Sequence, residues 1–345
     1  MSWFARLFRE QSDEVVILVD VGAGSVAGAY ARFVARTEPS LIYSKRIAIE
    51  PHEGEERELA MERALGELGA ALIGEGAPAA LRAAGRGRAD YILVSVSAPW
   101  ESTALRDETF EKEKPFTFTR KMVRDALEHA AEVPDGKLLV DESIIGTILN
   151  GYATSQPNGK LAKRAIVIVL ASLIDEPVAR RVAFALRALF HHEKILSIAG
   201  SSLRYQALRS TFPHEEDALI LDASGPEIAV SLVRGGLLVA VTEMPDGEAG
   251  SPEWIKEVQT ALAELAKRYP LPRTIFLLAD PGKGDGLARL LVAPEFDALW
   301  LSDEPPRVLT VAATQVQGIG NRSGNEPDLA LMLMARYWRD HGHDD

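Results

Sequence analysis

Residues 15–33 read VVILVDVGAGSVAGAYARF. Val15–Val19 is a continuous apolar run, short enough for a buried strand, and it ends in Asp20-Val21-Gly22-Ala23-Gly24-Ser25. Two chemistries fit that turn. Gly22-x-Gly24-x-x-Ala27 matches a dinucleotide fingerprint, which needs a helix starting at Gly24 and an acid about 20 residues on. The nearest strand-end acid, Glu50, falls late. In the other reading a β-hairpin follows. Asp20 then holds hydrated Mg²⁺, which takes few carboxylates and keeps its waters, while Gly22, Gly24 and Ser25 cradle a phosphate. An ordinary glycine turn is the third possibility. Val26–Phe33 continues as a strand or a helix.

The same design returns at 218–247, ALILDASGPEIAVSLVRGGLLVAVTEMPDG, where a strand ends in Asp222 and a short turn holds Gly225. Two acid-plus-turn units imply a duplicated architecture with two phosphate clamps. A third glycine loop, with Gly282 and Gly284, lies in RTIFLLADPGKGDGLARLL at 273–291, running from a strand into a helix at 287–291. Its spacing is not that of a P-loop. Between these units, 55–84 has helical spacing interrupted at 74–78, 91–97 is a strand, and Thr119 caps a helix. Residues 103–114 alternate in charge like a solvated loop or edge strand. Residues 144–154 and 165–172 read as strands, 176–190 and 254–269 as helices, and 328–338 as a buried terminal helix. Strands and helices mix through both hairpins and crossovers, so the class is mixed α/β.

The 345 residues suffice for about two domains. Thirty-eight Lys and Arg against 50 Asp and Glu give a net charge of −12, which argues against a nucleic-acid partner. The absence of cysteine removes disulfides, thiolate metal sites and thiol nucleophiles. His191 and His192 sit at a helix end, and His341 and His343 in a charged tail, without metal-ligand spacing. No apolar run approaches the ~20 residues of a membrane-spanning helix. These features favour a cytoplasmic protein. Residues 1–10, MSWFARLFRE, place Trp3, Phe4, Leu7 and Phe8 on one helical face with Arg6 and Arg9 off it, a pattern suited to the inner membrane face or to the protein's own surface.

Taken together, the three glycine units resemble the actin-like ATPase superfamily, specifically its FtsA/PilM branch of cell-division and type IV pilus assembly proteins. The stretches 15–33 and 218–247 look like the two phosphate hairpins, and 273–291 like the adenosine loop. Residues 90–132 look like the start of the inserted SHS2-type subdomain that distinguishes this branch, and 164–212 like its last strand and helix, then the strand and connecting helix back to the core. The resemblance implies an amphipathic segment at 1–13 and a first core subdomain at 14–89 with 193–215. It further implies an inserted subdomain at 90–192 and a second core subdomain at 216–345. Weak binding of ATP and Mg²⁺ would fall to Asp20, Gly22, Gly24, Ser25, Asp222, Gly225, Gly282 and Gly284, with no catalytic residue and no dedicated metal site.

The chain departs from that family pattern. Its second hairpin is about two residues short, and Ser224 and Pro226 stand where the family has glycines, the proline removing an N–H. Ala279-Asp280 replaces a Gly-Gly pair, and only one helix fits where the second core's small subdomain belongs. The expectation is an actin-fold scaffold with weakened or lost nucleotide binding. Its partner would be a division filament protein or a membrane protein with a short cytoplasmic tail, with self-association and peripheral membrane contact. The alternative is an active ATPase or sugar-kinase-like enzyme of the same fold. That enzyme needs a catalytic acid or Gln near the connecting helix, where the sequence offers Ser197, Ser201 and Ser202 but no acid.

Overall fold

The computed structural model describes residues 13–128, 133–154, 156–244, 247–280, 282–300 and 304–342. The amphipathic segment with Trp3, Phe4, Leu7 and Phe8 lies outside them.

Asp13–Val21 forms β1, Ser25–Val34 β2 and Ser40–Ala48 β3, an antiparallel meander. β4 (Tyr91–Val96) joins β1 in parallel, and β9 (Ile195–Ala199) joins β4 in parallel. The short β15 (Gly320–Asn321) closes the far edge on β3, giving a six-stranded sheet. The second sheet repeats the plan. β10 (Ala218–Ala223), β11 (Ile228–Arg234) and β12 (Leu237–Met244) form an antiparallel meander. β13 (Thr274–Ala279) and β14 (Arg307–Thr310) then add in parallel. The repeat extends to register, since Asp20 pairs with Ala27 and Asp222 with Ala229. Each acid therefore ends the first strand of its own hairpin. The antiparallel β2 occupies the place of the helix that a dinucleotide fingerprint requires, so that reading of Gly22 to Ala27 falls.

Alternation along the strands explains the layers. One face of β1 (Val15, Ile17, Val19) packs on α1 (Arg57–Ala71) and α4 (Glu176–Phe190). The other (Val16, Leu18) faces the second sheet across α5 (Gly200–Thr211) and α8 (Leu329–His341). The second sheet buries its outer face under α6 (Pro252–Arg268) and α7 (Gly284–Leu291). The break expected at 74–78 is absent. α1 runs through a π-helical turn at Leu72–Gly76 into α2 (Ala77–Ala84), where the proline sits at an early helical position and its missing N–H is tolerated. α7 begins earlier than expected, directly from the glycine loop, and α8 runs three residues further.

A third sheet stands apart in the chain segment between β4 and β9. It contains β5 (Glu101–Thr117), β6 (Lys137–Leu149), β7 (Tyr152–Ala153) and β8 (Leu161–Asp175), in the order β5-β8-β6-β7. The charge-alternating stretch is the edge strand β5, and α3 (Arg120–Glu128) covers one face with Ala126 against Val167 and Val169. Between β12 and β13 the only described helix is α6, capped by Ser251, whose hydroxyl accepts from the Trp254 amide at 3.1 Å.

Candidate functional site

The two hairpin turns meet at the centre of the molecule. Asp20, Gly22, Gly24, Ser25, Asp222 and Gly225 line one cavity of about 50 Å³ between the sheets. Gly282 and Gly284 fall outside it and line an adjoining cavity of about 500 Å³, which Ser25 shares. The sequence therefore identifies residues that do converge, in two compartments.

The surprise is what lies between the acids. Arg204 sits one turn into α5, and only 7% of it is exposed. A helical side chain leans back toward the N-terminus of its helix. Here it lies over Gly200, where a Cβ would collide with both the Arg204 guanidinium and the Ser97 hydroxyl. Arg204 Nε ion-pairs with Asp222 Oδ2, Nη2 lies 3.7 Å from Asp20 Oδ1, and Nη1 donates to Ser97 Oγ at 2.8 Å. The other Asp222 oxygen accepts from the Ser224 amide at 3.1 Å and the Ser224 hydroxyl at 2.5 Å. Both oxygens of Asp222 are thus engaged within the protein. Burial works against the charge on Arg204, but Asp222, Asp20 and Glu101 outweigh it and raise its pKa, so it is a fixed cation.

A second arginine approaches from β3. Arg46 donates to both oxygens of Asp328, the N-cap of α8, at 2.7 and 2.9 Å, and Nη1 donates to the Ser25 hydroxyl at 2.6 Å. Its Nη2 is 3.9 Å from Asp20 Oδ2. Ser25, expected to hold phosphate, accepts from Arg46. Burial opposes the Arg46 charge as well, and the hydrogen bonds to Asp328 overcome it.

The turns themselves are in contact. A Cβ on Gly24 would stand 2.7 Å from Pro226 Cδ, so the first turn can approach the second only as glycine. Glu227, which follows Pro226, ion-pairs with Arg57 at the start of α1 and ties the second turn to the first sheet's helix. Arginines and turn contacts fill the space between the two acids, and the remaining volume there has room for a few waters. Between Asp20 and Asp222 the Arg204 guanidinium stands where a Mg²⁺ ion would have to be held.

Sequence reasoning missed three residues. Arg46 and Arg204 carry no motif; the one available signal was an arginine on the buried stripe of a helix opening on glycine. Glu101 overturns the expectation that no acid stands near the connecting helix. It is 2% exposed and comes from the first strand of the third sheet, 100 residues before its partner. Its carboxylate accepts from the Ser201 amide at 3.0 Å and the Ser201 hydroxyl at 3.1 Å, at the N-terminus of α5. Burial pushes it up to about 7. Nearby Glu243 on β12 is pushed up to about 8, by burial first and then by the charge of Glu101.

No protein-family model matches the chain, and no curated protein matches it. Among solved structures it is similar to the PilM–PilN type IV pilus biogenesis complex, with 16% identity, 93% of this chain and 98% of that chain covered, and a TM-score of 0.55. A Bacteroides thetaiotaomicron protein with an actin-like ATPase fold and unknown function aligns at 7% identity over 97% and 98%, with a TM-score of 0.43. An inorganic polyphosphate/ATP-glucomannokinase from an Arthrobacter species aligns at 11% identity over 96% and 100%, with a TM-score of 0.40. At these identities the likeness concerns the fold alone: a mixed α/β chain that shares its fold with the PilM–PilN structure.

Proposed function

We propose that this chain is a PilM-like actin-fold scaffold whose cleft is held shut by its own arginines rather than by Mg²⁺–ATP. The observation that carries the reading is Arg204, seated between Asp20 and Asp222. A guanidinium there supplies permanently the charge that a bound metal supplies reversibly. The contact of Gly24 with Pro226 and the pair Arg57–Glu227 close the cleft by other means. In an ATPase the nucleotide bridges the two halves; here covalently fixed groups do so. Such a protein acts by what it holds. Its partner is a membrane protein with a short cytoplasmic tail, or a division filament protein, met at the cytoplasmic face of the membrane. The third sheet, within the inserted stretch 90–192, offers the partner and self-association surface, and Trp3, Phe4, Leu7 and Phe8 offer lipid contact. The likeness to a PilM–PilN complex supports the pilus side of this reading.

The enzyme reading keeps one observation in its favour: Glu101 is a buried acid beside the connecting helix, poised near neutral pH. Titration calorimetry with Mg²⁺–ATP separates the two, with Asp20→Ala as control. The scaffold reading expects no heat and no thermal shift at millimolar ATP. Micromolar binding lost in Asp20→Ala would overturn it.

A further inference from the structure

A cavity of about 730 Å³ lies at the outer edge of the first sheet, between α2, β3 and the segment that follows β15. No residue lines both it and the cavities beside the hairpin turns. Its volume falls within the roughly 300–1,000 Å³ usual for small-molecule sites. Its walls are held in place. The Arg322 amide donates to Leu41 O at 2.8 Å, and Asn325 Nδ2 donates to Ser44 O at 2.8 Å. Arg32 is spent on structure: it donates to both oxygens of Asp13, and its Nη1 donates to Ala83 O at 2.7 Å, which pins the end of α2. Two exposed cations remain. Arg82, in the last turn of α2, and Arg322 both line the cavity, and neither has a carboxylate partner among the described residues. The sheet register brings them to one end. Arg32, which reaches Ala83 beside Arg82, pairs with Ser40, and Arg322 is bonded to the next residue of β3, Leu41. The carboxylate in the lining, Glu75, belongs to the other end. The Tyr43 hydroxyl donates to its Oε2 at 3.3 Å, which leaves Oε1 to accept. Glu75 and Arg82 stand seven residues apart, roughly 10 Å along the helix.

We propose that this cavity binds a phosphate monoester of a small polyhydroxylated molecule, of the size of a sugar phosphate, with the phosphate held by Arg82 and Arg322 and a hydroxyl donated to Glu75. Guanidinium forks match phosphate oxygens, and a carboxylate accepts from hydroxyls. The polarity of the cavity narrows the choice. A dicarboxylate or a diphosphate would set a second negative group against Glu75. Free phosphate would leave Glu75 and most of the volume unused. The site stands apart from the cleft, so the inference holds whether or not the cleft binds nucleotide.

The test is titration calorimetry of the full chain at fixed ionic strength. The probes are glucose 6-phosphate, ribose 5-phosphate and glycerol 3-phosphate, with glucose and inorganic phosphate as comparisons. The expected result is sub-millimolar binding of at least one ester, about tenfold weaker binding of inorganic phosphate, and none of glucose. Arg82→Gln with Arg322→Gln should weaken the ester about tenfold or more and leave the melting temperature nearly unchanged, because neither side chain has an ion pair to lose. Glu75→Ala should weaken the ester and spare inorganic phosphate. Gly74→Met should block the ester with the charges intact, since a Cβ on Gly74 meets no atom within 4 Å and the added side chain occupies the cavity wall. Arg289→Gln removes an exposed arginine outside the cavity, on α7, and should change nothing. Ester affinity untouched by the double arginine variant overturns the proposal, as does an equal loss in Arg289→Gln, which would mark a general effect of surface charge. Inorganic phosphate binding as tightly as the esters overturns the ester and leaves a bare oxyanion site. Equal binding of glucose overturns the anion. No binding of any ester at about 10 mM overturns the site itself.

Discussion

Replacing Arg204 by methionine isolates the group that the proposal assigns to closing the site. The side chains of Asp20 and Asp222 are 5% and 14% exposed, and the guanidinium is the cation nearest both. Methionine keeps most of the volume and removes the charge, leaving Asp222 without its cation and Asp20 with only Arg46 at 3.9 Å. Removing one partner of a buried ion pair costs about 3–5 kcal/mol, because the remaining charge stays uncompensated. That is a large fraction of the total stability of about 5–15 kcal/mol usual for folded proteins. Urea unfolding followed by circular dichroism, with constant m as the check on cooperativity, should show a loss of this size. The two carboxylates then form the kind of site that Arg204 occupies. Millimolar Mg²⁺ should therefore return roughly 1–3 kcal/mol to Arg204→Met, as expected for a ligand that binds only the folded state, and nothing to the parent. Adding Asp222→Leu should recover part of the loss, since the pair is then removed whole rather than broken. A variant within about 1 kcal/mol of the parent, or equal stabilisation of both by Mg²⁺, would refute the argument that Arg204 stands in for a metal.

The same site sets a pH dependence. The pKa values of Glu101 and Glu243 are raised by burial to about 7 and about 8 from 4.5, so the folded state holds protons that the unfolded chain releases. Their stabilising contribution is complete below about pH 4.5 and is lost as pH rises through 7 to 8, at up to ~1.4 kcal/mol per pH unit for each proton. Thermal melts from pH 5 to 8.5 should show that decline, and Glu243→Gln should flatten its upper part; an unchanged slope counts against the assignment. Gly24→Ala drives a methyl toward Pro226 Cδ and should cost about 1–3 kcal/mol in urea titration, with most of it regained in Gly24→Ala/Pro226→Ala. Trp338 is 1% exposed and its ring centroid lies 5.3 Å from that of Tyr91 and 6.4 Å from that of Phe33, so Trp338→Ala should lose about 3–5 kcal/mol.

The fold was readable because hydrophobic patterning is a local property. The run 15–19, the acids ending two strands and the paired hairpin turns are all written in consecutive residues, and the repeat between them fixes the duplicated sheets. The extent of β5 was not readable, because an exposed, charged edge strand and a solvated loop share the same alternation. The continuous helix through Leu72–Gly76 was missed because the glycines and the proline are tolerated there by a π-helical turn and an early helical position. The candidate site was half legible. Its backbone came from motifs, so Asp20, Gly24 and Asp222 were found. Its charges came from Arg46, Glu101 and Arg204, each delivered by a different element, with Arg46 26 residues from Asp20, Arg204 18 residues from Asp222 and Glu101 100 residues from Ser201. Tertiary folding, not spacing, assembles that part.

Glu101 is the residue on which the enzyme reading depends, and its hydrogen bonds bear on its role. A general base needs a free lone pair about 2.6–3.2 Å from the proton it removes. Glu101 Oε2 already accepts both the amide and the hydroxyl of Ser201, and Oε1 lies 3.3 Å from the same amide. A carboxylate at a helix N-terminus is also favoured by the helix dipole and satisfies donors that the helix itself leaves unpaired. These bonds tie the first strand of the third sheet to the first turn of α5, and Arg204 lies one turn further along that helix. The acid that raises the prospect of catalysis thus fastens the element that carries the closing arginine. Its elevated pKa follows from burial first, with a smaller push from the charge of Asp222, and requires no reacting group. The charge at the centre of the cleft is accounted for by residues that hold one another, as the proposed scaffold reading expects.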